Sequence, residues 1–283
     1  MKRRERARQV SRRTILEKSL SVSVGALGIS AGQTSIVETD VSVPTPDGIC
    51  DAVLFHPRQG TRTGIILWPD AGGLRAAFRE LGRQVAARGY VVLVPNHLYR
   101  SARPPIFPPG FDPPNKPADM ETYTRITASF FAAGAIERDA VAYATFLDGR
   151  PEVKNGKKLG VIGYCLGGMC MMRTAAVLPG RIGAGVSLHG SPLVTSRPDS
   201  AHLLAPKIKA RLYFAIASDD DQRDPTLKSQ LRTALSTARV RAELEVYPDA
   251  RHGWCVPDSK AASNKQAVEL AWTKMMALLD RAL

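Results

Sequence analysis

Nine residues constrain this chain more than any others: Gly-Val-Ile-Gly-Tyr-Cys-Leu-Gly-Gly, residues 160–168. Leu159, Val161 and Ile162 read as a buried strand, and the pattern from Leu166 to Val177 reads as a helix. Between them, Gly163-Tyr164-Cys165-Leu166-Gly167 has the small-x-nucleophile-x-small form of a nucleophile elbow, with cysteine as the nucleophile. A strand that turns directly into a helix holds its apex residue in a strained backbone conformation. The positions two residues away on either side must therefore lack bulk. The turn projects the Cys165 thiol outward. It also leaves the Leu166 amide at a helix N-terminus, where it can donate to an oxyanion.

An acyl-transfer triad on such a scaffold follows the chain order nucleophile, acid, base. Downstream of the elbow, the strand-like run Arg211–Ala217 ends in Ser218-Asp219-Asp220-Asp221. The alternating run Ala242–Tyr247 then opens into Pro248-Asp249-Ala250-Arg251-His252-Gly253-Trp254. A carboxylate thus follows one strand and a histidine the next. The residues alone leave Asp219, Asp220 and Asp221 all open as the acid.

The rest of the chain gives these turns a sheet to sit on. Two short strands within Thr39–His56 flank the turn Pro44–Gly48, and Gly64–Trp68 and Tyr90–Pro95 read as buried strands. Helical patterns cover Ala76–Arg88, Thr122–Ala133, Ile136–Leu147, Thr226–Ala238 and Asn264–Leu283. Seven prolines within residues 101–120 predict a long loop. Gly185–His189 is a further strand, which leaves His189 open as a pocket residue or a hydrogen-bonded core histidine. Strands alternating with helices predict an α/β fold, with a doubly wound, mostly parallel sheet and helices on both faces.

The formal charge of +13 is distributed unevenly. Residues 1–32 carry +6 of it, so the remainder is only mildly basic and calls for no nucleic-acid partner. Ser11-Arg12-Arg13-Thr14-Ile15-Leu16 resembles a twin-arginine export signal, and the weakly apolar run Ser19–Ala31 suits a signal peptide. That run is too short and too polar for stable membrane insertion. The expectation is export, to the periplasm, through the export machinery, with cleavage near Gln33. Residues 1–32 are set apart as an export signal or, alternatively, the basic tail of a cytoplasmic protein, and residues 33–283 as a single domain. The cysteines Cys50, Cys165, Cys170 and Cys255 form no CxxC and no zinc ligand set, and a Cys50–Cys170 bridge is open.

With these motifs in hand, residues 40 to 280 resemble the dienelactone hydrolase family of α/β hydrolases. The resemblance rests on Gly163–Gly168, on Pro69-Asp70-Ala71-Gly72-Gly73, on Asn96-His97-Leu98-Tyr99, and on His252-Gly253-Trp254. It implies an α/β-hydrolase fold, no metal or other cofactor, and a small-molecule ester or lactone substrate, with the protein a monomer or dimer. It implies Cys165 as nucleophile, His252 as base and Asp220 as acid, third after the small residue Ala217. Asp70 would stand beside the nucleophile, and the amide of Ala71 would be the second oxyanion donor. Tyr99, Arg100, His189 and Trp254 would line the pocket. The chain departs from the family at Val256, where the namesake enzymes carry a carboxylate-binding arginine. Ester or lactone hydrolysis is therefore expected, rather than dienelactone itself as substrate. Two rivals from other classes are a binding protein with a dead site and a thiol redox protein. The latter would need Cys170, five residues on, as the resolving cysteine.

Overall fold

The computed structural model describes residues 35–111, 113, 115–259 and 264–283. The twin-arginine pair, the apolar run and the expected cleavage point fall outside the described residues. β1 (Ile36–Thr45) and β2 (Gly48–Pro57) form an antiparallel hairpin, paired without a break from Ile36 opposite Pro57 to Thr45 opposite Gly48. Both strands are longer than the sequence pattern indicated. Polar residues on the outer face of an edge strand hide its length, since such a strand buries little.

The next four strands are buried along their whole length: β3 (Gly64–Trp68), β4 (Val91–Pro95), β5 (Leu159–Tyr164) and β6 (Ile182–Leu188). A strand covered on both faces has no reason to alternate, and these runs are almost continuously apolar. β7 (Arg211–Ala217) and β8 (Ala242–Tyr247) complete an eight-stranded sheet in the order β1-β2-β4-β3-β5-β6-β7-β8. β2 runs antiparallel to both its neighbours, and from β4 onward every pair is parallel. This is the α/β-hydrolase fold.

Helices divide the core in two. α1 (Ala76–Ala87) and α7 (Lys265–Ala282) bury Phe78, Leu81, Val85, Met275 and Leu279 against one face. On the other face, α3 (Ala135–Asp148), α4 (Leu166–Val177) and α6 (Leu227–Thr237) contribute Tyr143, Leu147, Met171, Met172 and Leu231. α2 (Pro117–Thr127) begins earlier than expected and shortens the proline-rich loop. Its first residue is Pro117, whose missing N–H is harmless at the first helical position. The acidic run after β7 is likewise helical, forming α5 (Ser218–Arg223), because Asp219, Asp220 and Asp221 sit in its first turn and complement the helix dipole. Ala201–Lys207 adds a short 3₁₀ turn that the sequence did not signal.

The parallel strands matter for the site because they all end at one edge. The segments that follow β3, β5, β6, β7 and β8 carry Asp70, Cys165, His189, Asp220 and His252 beyond the carboxyl ends of the strands.

Candidate active site

β5 passes into α4 through one residue. Cys165 has φ 50° and ψ −117°, and Leu166 already opens the helix. The close packing explains the glycines. A Cβ on Gly163 would lie 1.9 Å from the Gly167 carbonyl oxygen, and one on Gly167 would lie 2.5 Å from that of Trp68. The turn is pinned by its neighbours: Cys165 N–H donates to Leu188 O at 3.0 Å, and Cys165 O accepts from Gly168 N at 2.9 Å and Ser191 N at 3.0 Å.

The other two groups arrive on tied loops. Ser218 N–H donates to Ala250 O at 2.8 Å, and its hydroxyl donates to the same oxygen at 3.0 Å. His252 N–H donates to Asp219 Oδ1 at 2.8 Å. These bonds lock the loop after β8 onto the first turn of α5. His252 Nδ1 then lies 2.6 Å from Asp220 Oδ2, and its Nε2 lies 3.1 Å from Cys165 Sγ. The three aspartates are thereby separated by contact. Asp220 is buried and reaches the ring, Asp219 holds the His252 backbone, and Asp221 pairs with Lys228 at 2.8 Å. Arg223 Nη1 makes an ion-pair contact with the second Asp220 oxygen at 3.1 Å.

Burial alone would lower the pKa of His252. The hydrogen bonds and charges of Asp220 and Cys165 outweigh it and bring the value up to about 10. A second imidazole packs edge-on against it: His189, ring centroids 5.0 Å apart. His189 is buried at a strained φ of 42°, and neither ring nitrogen has a hydrogen-bond partner among the described residues. Burial and the neighbouring His252 pull its pKa far down, so it stays neutral. Of the two edge-packed rings, His252 is the one held toward the charged form.

Cys165, His189 and His252 line a cavity of about 410 Å³ with Asp70, Ala71, Gly72, Arg75, Gly253, Val256, Asp258 and Ser259. Ala71 lines the same cavity as Cys165. Asp70 faces the same cavity but engages Arg75 and the Gly72 N–H, with no contact to the thiol. Tyr99, Arg100 and Trp254 are not in this wall, which corrects the sequence expectation. Tyr99 Oη bonds Thr45 and Asp139, while Arg100 pairs with Asp47 and the buried Asp139. An arginine with two carboxylates at hand is drawn to them rather than to the pocket. Trp254 is buried against Tyr247 and His189, and its apolar bulk sends it into the core.

Residues 50–283 match the dienelactone hydrolase family. The chain belongs to the dienelactone hydrolase family. A Synechocystis protein provisionally named carboxymethylenebutenolidase is 27% identical over 254 residues, covering 88% of this chain and 98% of the relative. A Klebsiella pneumoniae crystal structure, provisionally assigned as a dienelactone hydrolase, superposes with a TM-score of 0.74 at 21% identity. It covers 86% of this chain and 98% of its own. A dienelactone hydrolase-like promiscuous phosphotriesterase from metagenomic libraries gives 0.71 at 20% identity, covering 88% and 99%. The protein is accordingly a hydrolase of this family acting on a small molecule.

Within this family member, three of the four thiols are inert by position. Cys50, Cys170 and Cys255 are buried and free, with no Cys50–Cys170 bridge. Burial pushes the Cys50 thiol up to about 12 and raises those of Cys170 and Cys255 as well. Cys170 Sγ points to Leu166 O inside the helix, away from a resolving role. Sequence reasoning missed Arg75, Asp258 and Tyr123. Tyr123 of α2 is half-buried, and its hydroxyl pKa is raised by burial and by the charges of Cys165 and Asp70. No spacing rule could find Arg75 and Asp258, which meet across 183 residues of chain. No group of three or more His, Cys, Asp or Glu side chains suited to a metal ion occurs among the described residues.

Proposed function

We propose that the protein hydrolyses carboxylic esters or lactones through a Cys165–His252–Asp220 triad and an acyl-thioester intermediate. The observation that carries this reading is the relay through one imidazole: 2.6 Å to the carboxylate on one side and 3.1 Å to the sulfur on the other. Asp220 fixes the Nδ1–H tautomer, so Nε2 faces the thiol as acceptor. His252 Nε2, 3.1 Å from Cys165 Sγ, takes the thiol proton, leaving a thiolate beside an imidazolium. The thiolate attacks the acyl carbon. The amides of Leu166 and Ala71 receive the oxyanion, and the imidazolium protonates the departing alkoxide. Water, deprotonated by His252, then attacks the thioester and releases the acid and the free thiol.

The test is direct. Cys165→Ala should lose at least about a thousandfold in p-nitrophenyl butyrate hydrolysis while keeping its circular dichroism spectrum. Rapid-quench mass spectrometry of the wild type should find one butyryl group on Cys165. Turnover that survives the substitution, or an acyl group on another residue, would refute the reading.

We also propose export through the twin-arginine pattern Arg12-Arg13, with the mature chain beginning near Gln33. Replacing both arginines by lysine should retain the uncleaved precursor in the cytoplasm. A native protein found uncleaved in the cytosol would overturn it.

A further inference from the structure

Arg75 stands at the mouth of the cavity, and its guanidinium is saturated. A guanidinium has five N–H donors. Nη1 donates to Asp70 Oδ1 at 2.6 Å and to Gly73 O at 3.3 Å. Nη2 donates to Asp70 Oδ2 at 2.9 Å and to Asp258 Oδ1 at 3.0 Å, and Nε donates to Asp258 Oδ2 at 2.7 Å. Each edge of the fork grips one carboxylate in the bidentate geometry that arginine prefers. No donor is left over, and the three groups together carry one net negative charge.

Among the described residues lining the cavity, Arg75 is the one lysine or arginine. The other cationic group, His252, is already paired with the Asp220 carboxylate. Val256 adds a buried apolar wall. An incoming carboxylate would meet a surplus negative charge and a spent fork. To be bound by Arg75, it would have to displace Asp70 or Asp258, each of which would then face the cavity unpaired. An uncharged acyl chain meets neither obstacle.

We propose that this site selects uncharged esters and lactones and discriminates against substrates bearing a carboxylate. The inference rests on the hydrolase reading above and names the substrate class of that same site. Asp258 sets the discrimination from the rim: it occupies one edge of Arg75 and supplies the surplus charge.

p-Nitrophenyl butyrate and p-nitrophenyl hydrogen succinate have acyl chains of equal length and differ by a terminal methyl against a terminal carboxylate. The wild type should favour the butyrate in kcat/KM by about tenfold, the effect of one partly screened like charge near the acyl chain. Asp258→Ala frees one edge of the fork and removes the charge, so the ratio should fall to about one or invert. Taking the ratio within each variant cancels any loss of folded enzyme. Equal kcat/KM for the two esters in the wild type, or a ratio unmoved in Asp258→Ala, overturns the inference while leaving Cys165-dependent hydrolysis intact. If neither ester is turned over, the hydrolase reading fails, and alkylation of Cys165 decides the charge selection. Iodoacetamide outpacing iodoacetate by about tenfold more than it does with free cysteine supports it; an equal ratio overturns it.

Discussion

Asp220→Asn isolates the carboxylate bonded to the His252 ring, where Asp219 holds the backbone N–H. The bond removed is short, 2.6 Å, and joins a buried oxygen to the ring nitrogen that must carry the fixed proton. An asparagine amide presents either an N–H or a neutral oxygen to Nδ1. In the first case the ring proton moves to Nε2, which can no longer accept the thiol's proton across 3.1 Å. In the second the tautomer survives without a counter-charge for the imidazolium. The expected loss in kcat/KM is about 10³–10⁴-fold, or about 4–5 kcal/mol of transition-state stabilisation. The pKa of His252 should fall from about 10 toward its ordinary value near 6.5. A raised imidazole pKa contributes stability that is complete below pH about 6.5 and is lost as pH rises through about 10. Asp220→Asn should therefore lower Tm at pH 6 and change it little above pH about 10. Its neighbours are the controls. In Asp219→Asn the amide oxygen still accepts the His252 N–H, so activity should stay within about tenfold. Asp221→Asn breaks only a partly exposed pair with Lys228, worth about 0.2–1 kcal/mol of stability and nothing in rate. The assay is p-nitrophenyl butyrate hydrolysis across pH, with thermal melts at each pH. Asp220→Asn within tenfold of wild type, or Asp221→Asn as damaging as Asp220→Asn, would refute the assignment.

Two further outcomes test the scaffold. Gly163→Ala places a methyl 1.9 Å from the Gly167 carbonyl, a backbone atom that cannot swing aside. It should cost about 3 kcal/mol or more and lower Tm by roughly 6–12 °C; an unchanged melt would contradict the packing argument. His97 is fully buried against Phe130 and its pKa is pulled down to about 3 by burial. The unfolded chain binds that proton near pH 6.5 and the folded one does not, so stability should fall as pH drops from about 6.5 toward 3, by about 3 kcal/mol at pH 4.5. His97→Phe should remove that loss, read as denaturant midpoints at pH 7 and 4.5, and equal acid loss in both proteins would sink the idea.

The sheet was legible because four strands buried on both faces write themselves as apolar runs, and the large helices as apolar periodicity. The residues in hydrogen-bond contact at the site, Cys165, Asp220 and His252, follow chain order at the ends of β5, β7 and β8. That order is visible because parallel strands deliver their C-termini to one edge. Which aspartate of three touches the ring depended on α5, whose single turn was not foreseen. The same turn that lifts Asp220 toward His252 sends Asp221 to Lys228. The pocket wall was hardest to read. Arg100 carries the charge a pocket residue would need, yet Asp47 and Asp139, far off in sequence, claim it. Arg75 looks like an ordinary residue at a helix start until Asp258 arrives from the other end of the chain. Long-range pairing of charges leaves no local pattern, and it decides which side chains face a ligand.

Where the backbone is strained is itself informative. Three non-glycine residues have positive φ among the described residues, and Arg239 is a helix-end residue after α6. The other two, Cys165 and His189, each follow the last residue of adjacent parallel strands, where Tyr164 pairs with Leu188. Each strained residue still donates its backbone N–H to the next strand: Cys165 to Leu188 O at 3.0 Å and His189 to Ala215 O at 2.8 Å. The ladder thus runs one residue beyond the strands while the chain reverses out of the sheet. A left-handed residue costs on the order of 1–3 kcal/mol, and a ladder bond with flanking core offsets it. Two such sites side by side need a common cause. The turn at Cys165 lifts its sulfur above the sheet edge, and the turn at His189 sets a neutral ring against the face of His252. His252 is thereby packed by a neighbouring ring, bonded at both nitrogens, and set in the cavity lining. Strain placed at two neighbouring strand ends, and relieved by the sheet between them, is how a rigid parallel sheet fixes a reactive thiol and its imidazole against each other.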